Sequence, residues 1–313
     1  MYTLQSHRQT RQLGRTSIEL PVLGFGSASL GSQANSFDLD TAEAAIAAAY
    51  DAGISYFDTA PLYSYGMAER LIGDGLRRWP ERPLLSSKVG RLLRPGAFSH
   101  PVIPEIPGVP FGIQYDYSRD GALRSFEDSL QRMGTDRIDI LLIHDIDSAA
   151  HGTDAPVYFR QAMDGALPAL MELREQGVIG AIGLGVNTAD ACIAALDQAD
   201  LDCLLIAGRY TLLDTAILDD LLPKCREKGV SLIAGGPYNS GVLAGAPPQV
   251  ATFDYRPAPP EVFARVAALT KVADAYGVAL PAAAIQFPLG DPALFPECAL
   301  PMRCAKTSPI SMP

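Results

Sequence analysis

Short apolar runs alternate with longer amphipathic stretches along most of this chain. The short runs are rich in β-branched and aliphatic residues, as in buried strands, whereas the longer stretches repeat apolar residues at helical spacing. The pattern predicts seven strands: Pro21–Gly26, Ile54–Asp58, Leu84–Lys88, Ile138–His144, Ile179–Gly185, Asp202–Ala207 and Val230–Ala234. It also predicts seven helices: Asp40–Ala52, Ala68–Trp79, Asp120–Met133, Gly165–Gln176, Ala189–Ala199, Thr215–Lys228 and Glu261–Tyr276.

The order of these elements indicates a closed barrel. Strands separated by helices pair in parallel through right-handed crossovers, and seven such units in a row exceed what most open sheets contain. Glycines end two of the predicted helices, Gly177 after Gln176 and Gly229 after Lys228, where a left-handed residue is common. We therefore predict an α/β fold, a (β/α)8 TIM barrel formed by a single domain over residues 1–313, with a doubly wound open sheet as the alternative.

Three segments lie outside the alternating pattern. Arg11 to Pro21 contains Gly14 between two short extended stretches and predicts a hairpin that plugs the N-terminal mouth of the barrel. Pro95 to Tyr115 and Tyr238 to Pro260 predict long loops. Loops of that length inside a compact domain are usually functional or mobile, so we expect substrate specificity to depend on them.

Composition narrows the class of protein. Of the 313 residues, 48% are hydrophobic and 19% charged, which supports a large core. The net charge of −10 disfavours nucleic acid and anionic membranes as partners. No apolar run has the length of a membrane helix, the polar start lacks the apolar stretch of a secretory signal, and the five cysteines are scattered. We expect a cytoplasmic protein whose partners are small molecules, with the oligomeric state left open.

Candidate catalytic residues follow three consecutive predicted strands. Asp58 ends the second strand, Lys88 the third and His144 the fourth, and Tyr63 lies one loop beyond Asp58. The active sites of α/β barrels lie where the strands end, so we expect these side chains to share one mouth. Taken singly, each has an ordinary structural alternative: a turn or capping aspartate, a solvated lysine, a satisfied polar histidine and a packed tyrosine. Together, on adjacent strands, they favour catalysis.

The four side chains suit the interconversion of a carbonyl and an alcohol. That reaction needs a hydride at carbon and a proton at oxygen, and a tyrosine hydroxyl can transfer the proton if a nearby ammonium favours the phenolate. We assign Tyr63 as the proton-transferring residue, with Lys88 beside it and Asp58 holding Lys88 charged and oriented. His144 would hydrogen-bond the substrate oxygen. No motif with metal-ligand spacing is present in the sequence, and we predict no metal.

The sequence resembles the aldo-keto reductase superfamily over about residues 10 to 292. Asp58, Tyr63, Lys88 and His144 match the catalytic tetrad of that family residue by residue. The further segments that carry the resemblance are Gly24-Phe25-Gly26-Ser27, Ile143-His144-Asp145, Gly183-Leu184-Gly185-Val186-Asn187 and Gly235-Gly236-Pro237-Tyr238-Asn239-Ser240-Gly241.

Within the superfamily, the chain is similar to the bacterial D-threo-aldose 1-dehydrogenase, L-fucose or galactose dehydrogenase and pyridoxal 4-dehydrogenase group. The segments that carry this similarity are Asp116-Tyr117-Ser118, Arg124 to Leu130, His144-Asp145, Ala207 to Leu213 and Gly235-Gly236-Pro237. Members of that group oxidise a cyclic hemiacetal carbon to a lactone with a nicotinamide cofactor. The resemblance thus implies an NAD(P)-dependent oxidoreductase acting on an aldose hemiacetal carbon. The alternatives are a pyridoxal 4-dehydrogenase, an NADPH-dependent aldehyde or ketone reductase, or a non-catalytic barrel with impaired cofactor binding.

The resemblance also implies the residues that bind the cofactor, NAD or NADP. Asn187 would hold the nicotinamide carboxamide, and the loop from Gly235 to Leu243 would cover the pyrophosphate. The glycines of that loop leave room for backbone N–H groups to approach a phosphate. Family members generally place an aromatic residue near Gly235, where it stacks on the nicotinamide. This chain has glycine at that position. The expected cofactor-binding residues are Gly26, Ser27, Asp58, Asn187, Gly235, Gly236, Pro237, Ser240, Gly241 and Leu243.

The end of the chain departs from the family pattern. Relatives continue into an eighth strand, a phosphate-binding loop and a final helix, whereas residues 293–313 form a divergent tail with four prolines. Because prolines break regular helices, and because Pro296 limits a strand after Ala293, we predict that the eighth strand and C-terminal helix are atypical or missing. The missing segment grips the adenosine end of the cofactor in relatives, so we expect weaker cofactor binding and lower stability.

Overall fold

Eight parallel strands form a closed barrel in the structure, a computed structural model that describes residues 9–30, 38–96, 109–290 and the backbone of 294–298. Two further strands, β1 (Thr10–Gln12) and β2 (Glu19–Pro21), precede the barrel. The barrel strands are β3 (Gly24–Gly26), β4 (Tyr56–Asp58), β5 (Leu84–Val89), β8 (Ile140–His144), β9 (Ala181–Val186), β10 (Cys203–Ala207), β11 (Ser231–Gly235) and β14 (Leu294–Cys298). The remaining strands are β6 (Arg91–Pro95), β7 (Phe111–Tyr115), β12 (Thr252–Phe253) and β13 (Arg256–Pro257). The predicted fold class is confirmed.

Helices cover the outside of the barrel. They are α1 (Leu39–Asp51), α2 (Met67–Leu76), α3 (Arg119–Met133), α4 (Ser148–His151), α5 (Ala155–Gln161), α6 (Leu167–Glu175), α7 (Ala189–Leu196), α8 (Leu221–Lys228), α9 (Pro260–Ala275) and α10 (Leu280–Gln286). The apolar sides of the strands and of the inner helix faces form one large core cluster. Among the residues described, no single helix is long and apolar enough to cross a membrane, although α9 paired with Leu280–Gly290, at a bend of 96°, passes a length and composition test.

Local chemistry accounts for the helix ends. Helix α3 begins at Arg119, one residue before the predicted start, because the Ser118 hydroxyl caps it by accepting from the Gly121 amide at 3.1 Å. It ends at Gly134, which has a left-handed φ of 61°. The predicted stop at Gly229 is confirmed, since that residue follows α8 with a φ of 66°.

The N-terminal hairpin plugs the bottom of the barrel, as predicted. Strands β1 and β2 pair antiparallel, and Leu13 and Leu20 are fully buried in a cluster with side chains from the barrel interior. The hairpin turns at Gly14, whose φ is 55° and where a Cβ atom would lie 2.3 Å from the carbonyl oxygen of Asp202. Only glycine allows so close an approach to the barrel at this turn.

An eighth strand completes the barrel, which the sequence had left as atypical or missing. Residues Leu294 to Pro296 of β14 pair with β11, and Glu297 and Cys298 pair with β3. Pro296 lies opposite Ala234 and removes one backbone donor, but it does not end the strand, because Glu297 and Cys298 continue it against β3. The strand is atypical in carrying this proline. The predicted loss of the final helix concerns residues 299–313, which lie outside the described part.

Both segments predicted as long loops take part in hairpins. In the first, β6 and β7 pair antiparallel, with Arg91 opposite Tyr115, and the part between 97 and 108 is not among the described residues. In the second, β12 and β13 form a short hairpin whose tip is Asp254 and Tyr255. The sequence prediction of loops was therefore incomplete, because the pairing partners in each segment are too polar or too short to show clear alternation.

Candidate active site

The structure brings the four predicted catalytic side chains to one end of the barrel. The Lys88 ammonium lies 2.5 Å from a carboxylate oxygen of Asp58 and 4.7 Å from the centre of the Tyr63 ring. The rings of Tyr63 and His144 are 5.8 Å apart and nearly perpendicular. Asp58, Lys88 and His144 are buried, whereas Tyr63 is half-buried. The phenol therefore stands above three buried groups, at the position where a ligand would reach it first.

Asp58 is held in place by strand-borne neighbours. One carboxylate oxygen accepts from the Ser86 hydroxyl at 2.5 Å, and the Tyr56 hydroxyl lies 2.9 Å from that same Ser86 oxygen. Lys88 also donates to the backbone carbonyl of Thr59 at 2.9 Å. Because the ion pair is 1% exposed and the ammonium donates to both Asp58 and Thr59, the ammonium is held in one orientation beside the phenol.

His144 is neutral at ordinary pH. Burial lowers the pKa of His144 well below 6.5, and the positive charges of Arg91 and Lys88 lower it further. Its Nε2 atom lies 3.5 Å from a carboxylate oxygen of Asp145, and that same oxygen is paired with the Arg91 guanidinium. A neutral imidazole offers one donor and one acceptor, so His144 suits hydrogen bonding to a substrate oxygen better than service as a standing cation.

The neutral state of His144 predicts how stability depends on pH. In the unfolded chain this histidine takes up a proton below about pH 6.5, whereas in the folded chain it does not, so the free energy of unfolding falls as the pH drops. The slope contributed by one such proton is about 1.4 kcal/mol per pH unit. We expect His144→Asn to show a shallower decline than the unmodified protein in denaturant unfolding between pH 6.5 and about pH 5. Identical declines in the two proteins would contradict the assignment.

Arg91 also belongs to this site, although the sequence did not predict it. Its guanidinium is 3% exposed and donates to the Asp145 carboxylate at 2.8 Å. Two further nitrogens, Nε and Nη1, are buried and have no hydrogen-bond partner among the described residues. Arg91 follows Lys88 by three residues, so its position just beyond a catalytic strand was an available signal.

Tyr117 was also missed as part of this site. Its hydroxyl donates to the backbone carbonyl of His144 at 2.7 Å and lies 3.0 Å from the Asp145 carbonyl oxygen. The ring packs against Gly90, where φ is 102° and a Cβ atom would lie 2.1 Å from the ring. Gly90 therefore permits Tyr117 to support the end of β8 from the side of β5.

An aromatic wall borders the mouth beside these residues. His151 stacks on Tyr158, with ring centres 4.0 Å apart, and meets the Tyr115 ring at 4.6 Å. The Arg91 guanidinium lies 5.4 Å from the centre of the Tyr115 ring. These aromatic residues come from β7, α4 and α5, all within stretches that the sequence analysis did not assign to helices or strands.

The predicted cofactor residues fall into three groups around the mouth. Gly26 and Ser27 are buried at the end of β3, and the Ser27 amide donates to the carbonyl of Asp58 at 3.0 Å. The Ser27 hydroxyl is buried with no partner among the described residues. Asn187 follows β9 and is half-buried. The third group is the loop that begins at Gly235, at the end of β11.

The loop from Gly235 to Leu243 leaves its backbone open at two glycines, as predicted, but one of their amides already has a partner. Gly236 and Gly241 have φ of 59° and 98°, and no side chain lies within 3.5 Å of a Cβ placed on either. The Gly241 amide, which we had expected to be free, donates within the loop to the Tyr238 carbonyl at 3.0 Å. Ser240 is exposed, whereas Pro237 and Leu243 are buried, so those two residues contribute mainly to the packing of the loop.

Gly235 leaves the end of β11 without an aromatic side chain. A Cβ atom there would lie 3.0 Å from the end of the Leu205 side chain, a tight contact that would require Leu205 to shift by a few tenths of an ångström. Across the mouth, Tyr255 at the tip of the β12–β13 hairpin is exposed, and its hydroxyl lies 3.4 Å from the side-chain oxygen of Asn187. Arg209 anchors the tip by pairing with Asp254 at 2.9 Å.

The chain is similar to known proteins in both sequence and fold. A model of the aldo/keto reductase family matches residues 22–308. Pyridoxal 4-dehydrogenase from Microbacterium luteolum is 43% identical over 292 residues, which cover 90% of this chain and 85% of that protein. D-threo-aldose 1-dehydrogenase from a Pseudomonas species is 37% identical over 279 residues, covering 87% and 82%. The holo form of an aldo-keto reductase from Bacillus halodurans has a TM-score of 0.69 at 25% identity, covering 97% of this chain and 93% of that one.

Proposed function

The chain belongs to the aldo/keto reductase family and is an oxidoreductase, and we propose that it oxidises the cyclic hemiacetal carbon of an aldose to a lactone. The observation that carries the proposal is the Lys88 ammonium, pinned by Asp58 and lying 4.7 Å from the centre of the Tyr63 ring. A fixed positive charge beside a half-buried phenol favours the phenolate, which is the form that accepts a proton. The relatives named for sugar and pyridoxal dehydrogenases support the substrate class.

In this proposal each residue has a defined role. The Tyr63 oxygen takes the proton from the hydroxyl at the hemiacetal carbon. Lys88, which Asp58 holds in place, stabilises the negative charge that the Tyr63 oxygen carries before the transfer. Neutral His144 donates a hydrogen bond to the substrate oxygen and fixes its distance from Tyr63. The nicotinamide ring, when bound, supplies the acceptor for the hydride that leaves the same carbon.

The residues across the mouth fit a dinucleotide. The loop from Gly235 offers a backbone surface without side chains at Gly236 and Gly241, which suits a close approach by a pyrophosphate. Asn187 presents a half-buried amide close to the end of β9, where it would meet the nicotinamide carboxamide. Gly26, Ser27 and Asp58 would line the floor beneath the ring. The choice between NAD and NADP stays open in this proposal.

A second candidate substrate is pyridoxal. The stacked aromatic rings of His151 and Tyr158, with Tyr115 at their edge, form a flat wall beside the mouth that suits an aromatic ring better than a sugar. The relative named pyridoxal 4-dehydrogenase supports the same substrate. Both candidates need the same proton transfer at Tyr63, so they differ only in what the aromatic wall contacts.

A substrate screen tests the proposal. We expect the purified protein to form reduced nicotinamide, followed by absorbance, when mixed with either NAD⁺ or NADP⁺ and one of L-fucose, D-arabinose, galactose or pyridoxal. Turnover of pyridoxal alone would select the second candidate. Turnover of simple aldehydes with NADPH and of no sugar would replace the proposal with an aldehyde or ketone reductase, and no turnover of any substrate would favour a non-catalytic barrel.

A further inference from the structure

We propose that Asp145 is a positioning residue that orients the Asn187 amide, so that the carbonyl oxygen and not the NH₂ group faces the cofactor. The site would then recognise the NH₂ group of the nicotinamide carboxamide through a single acceptor. This inference rests on the proposed function, because it takes Asn187 as the residue that meets the carboxamide. It assigns a role to a buried ion pair, Arg91 with Asp145, that the proton transfer does not use.

The contacts of the Asp145 carboxylate determine which way the amide faces. One oxygen accepts from the Arg91 guanidinium at 2.8 Å, and the other lies 2.8 Å from the Asn187 side-chain nitrogen. An ionised carboxylate only accepts hydrogen bonds, so the group of Asn187 that faces it must be the NH₂. Burial raises the pKa of Asp145, and the guanidinium, which stays protonated, opposes that rise.

The backbone of Asn187 is held on both sides, which fixes the point from which its side chain extends. Its amide donates to the Asp147 carboxylate at 2.7 Å, and its carbonyl accepts from Arg209 Nε at 2.8 Å. With the NH₂ held by Asp145, the side-chain oxygen points to the mouth, where the Tyr255 hydroxyl lies 3.4 Å away. In the proposal, the NH₂ group of the carboxamide would donate to this side-chain oxygen.

Asp145 itself adopts a left-handed backbone conformation, which is uncommon among residues other than glycine. Its φ is 39°, in the left-handed region, and its amide donates to the Gly185 carbonyl at 2.8 Å. Strain of this kind persists where the surrounding structure enforces it and is concentrated at functional sites. Here it turns the carboxylate sideways from the end of β8 toward β9, where Asn187 follows.

An acceptor in this place predicts discrimination between cofactor analogues. In the 3-acetylpyridine analogue a methyl group replaces the NH₂ of the carboxamide, so the Asn187 oxygen would lose its donor. A buried polar group left without a partner weakens binding by roughly tenfold or more. If the NH₂ of Asn187 faced the cofactor instead, both compounds would offer it a carbonyl oxygen and would bind alike.

The substitution Asp145→Asn should abolish this preference. Arg91 only donates, so the oxygen of the new asparagine would stay on Arg91 and its NH₂ would face Asn187. Asn187 would then turn its oxygen toward position 145 and its NH₂ toward the cofactor. A matched control is Asp202→Asn: this buried carboxylate also pairs with an arginine, Arg174, and accepts from a strand amide, but it precedes β10 at the opposite end of the barrel.

The experiment measures dissociation constants by titration, without substrate. NAD⁺, NADP⁺ and the 3-acetylpyridine analogue of each are titrated into the unmodified protein, Asp145→Asn and Asp202→Asn, and the pair with the tighter carboxamide compound is compared. We expect about a tenfold preference for the carboxamide in the unmodified protein, a ratio near one in Asp145→Asn, and an unchanged ratio in Asp202→Asn despite lower thermal stability. Equal affinities in the unmodified protein, or binding of neither compound, would overturn the inference.

Two outcomes separate this inference from the proposed function. A preference for the carboxamide without turnover of any sugar or of pyridoxal would leave the orientation of Asn187 standing and remove the proposed reaction. Turnover without any preference would leave the proposed reaction standing and remove the inferred orientation of Asn187. The unmodified protein tests the inference by itself. The inference can therefore still be overturned if Asp145→Asn folds poorly. An unchanged preference in a folded Asp145→Asn would assign the orientation to other contacts of Asn187.

Discussion

Replacing Tyr63 by phenylalanine is expected to lower kcat/KM by about 10²- to 10⁴-fold, the range in which positioned proton transfer contributes to catalysis. The substitution removes only the hydroxyl. The ring remains available to lie 4.7 Å from the Lys88 ammonium and 5.8 Å from the His144 ring, so the packing of the site is conserved. The measurement is steady-state turnover of whichever substrate the screen identifies, with thermal unfolding as the check on folding.

Tyr50→Phe is the matched control for this prediction. The Tyr50 hydroxyl also hydrogen-bonds, to the backbone of Glu81, but the ring stacks on Trp79 on the helical side of the barrel. We expect its removal to lower stability slightly and to leave kcat/KM unchanged. Turnover in Tyr63→Phe equal to that of Tyr50→Phe would remove Tyr63 from the mechanism, and the proposed function would need another proton acceptor.

Replacing Lys88 by methionine is expected to lower both stability and turnover. The pair with Asp58 is 1% exposed on both sides, and removing one partner leaves a buried charge without compensation. Breaking a buried pair in this way destabilises a protein by about 3–5 kcal/mol. Denaturant unfolding measures this loss. Turnover should also fall, because the phenolate of Tyr63 loses the ammonium that stabilises it.

The double variant Lys88→Met with Asp58→Asn separates the two effects. Neutralising both partners removes the unpaired charge, so we expect most of the lost stability to return, as seen when buried pairs are replaced together. Turnover should stay low, because no ammonium lies beside Tyr63. Full turnover in the double variant would show that the pair holds the barrel together and takes no part in proton transfer.

The barrel was predictable because its strands are buried on both faces. Such strands read as continuous apolar runs, and the bounds of β5 and β10 fell within one residue of the prediction. The convergence of Asp58, Lys88 and His144 was predictable for a related reason. In a parallel barrel all strands end at the same face, so residues at strand ends meet without any knowledge of side-chain conformation.

The strands that the sequence did not predict, β14 and the hairpin of β6 and β7, share a different cause. Strand β14 contains Pro296, and local propensity argues against a strand there, but two neighbouring strands provide the pairing that closes the barrel. The hairpin of β6 and β7 pairs across a stretch that looks like an ordinary loop. In each case the stabilising partner lies far away in the sequence, and a local pattern carries no information about it.

The sequence by itself determined the order of the first seven barrel strands, the plugging hairpin and the candidate tetrad, because burial and periodicity are encoded locally. Only the tertiary structure decided the environment of those residues: the neutral state of His144, the ion pair of Arg91 with Asp145, and the direction in which the Asn187 amide faces. These depend on distances of about 3 Å between side chains from different strands. The electrostatic and hydrogen-bonding state of a buried group is set by such neighbours, and only folding brings them together.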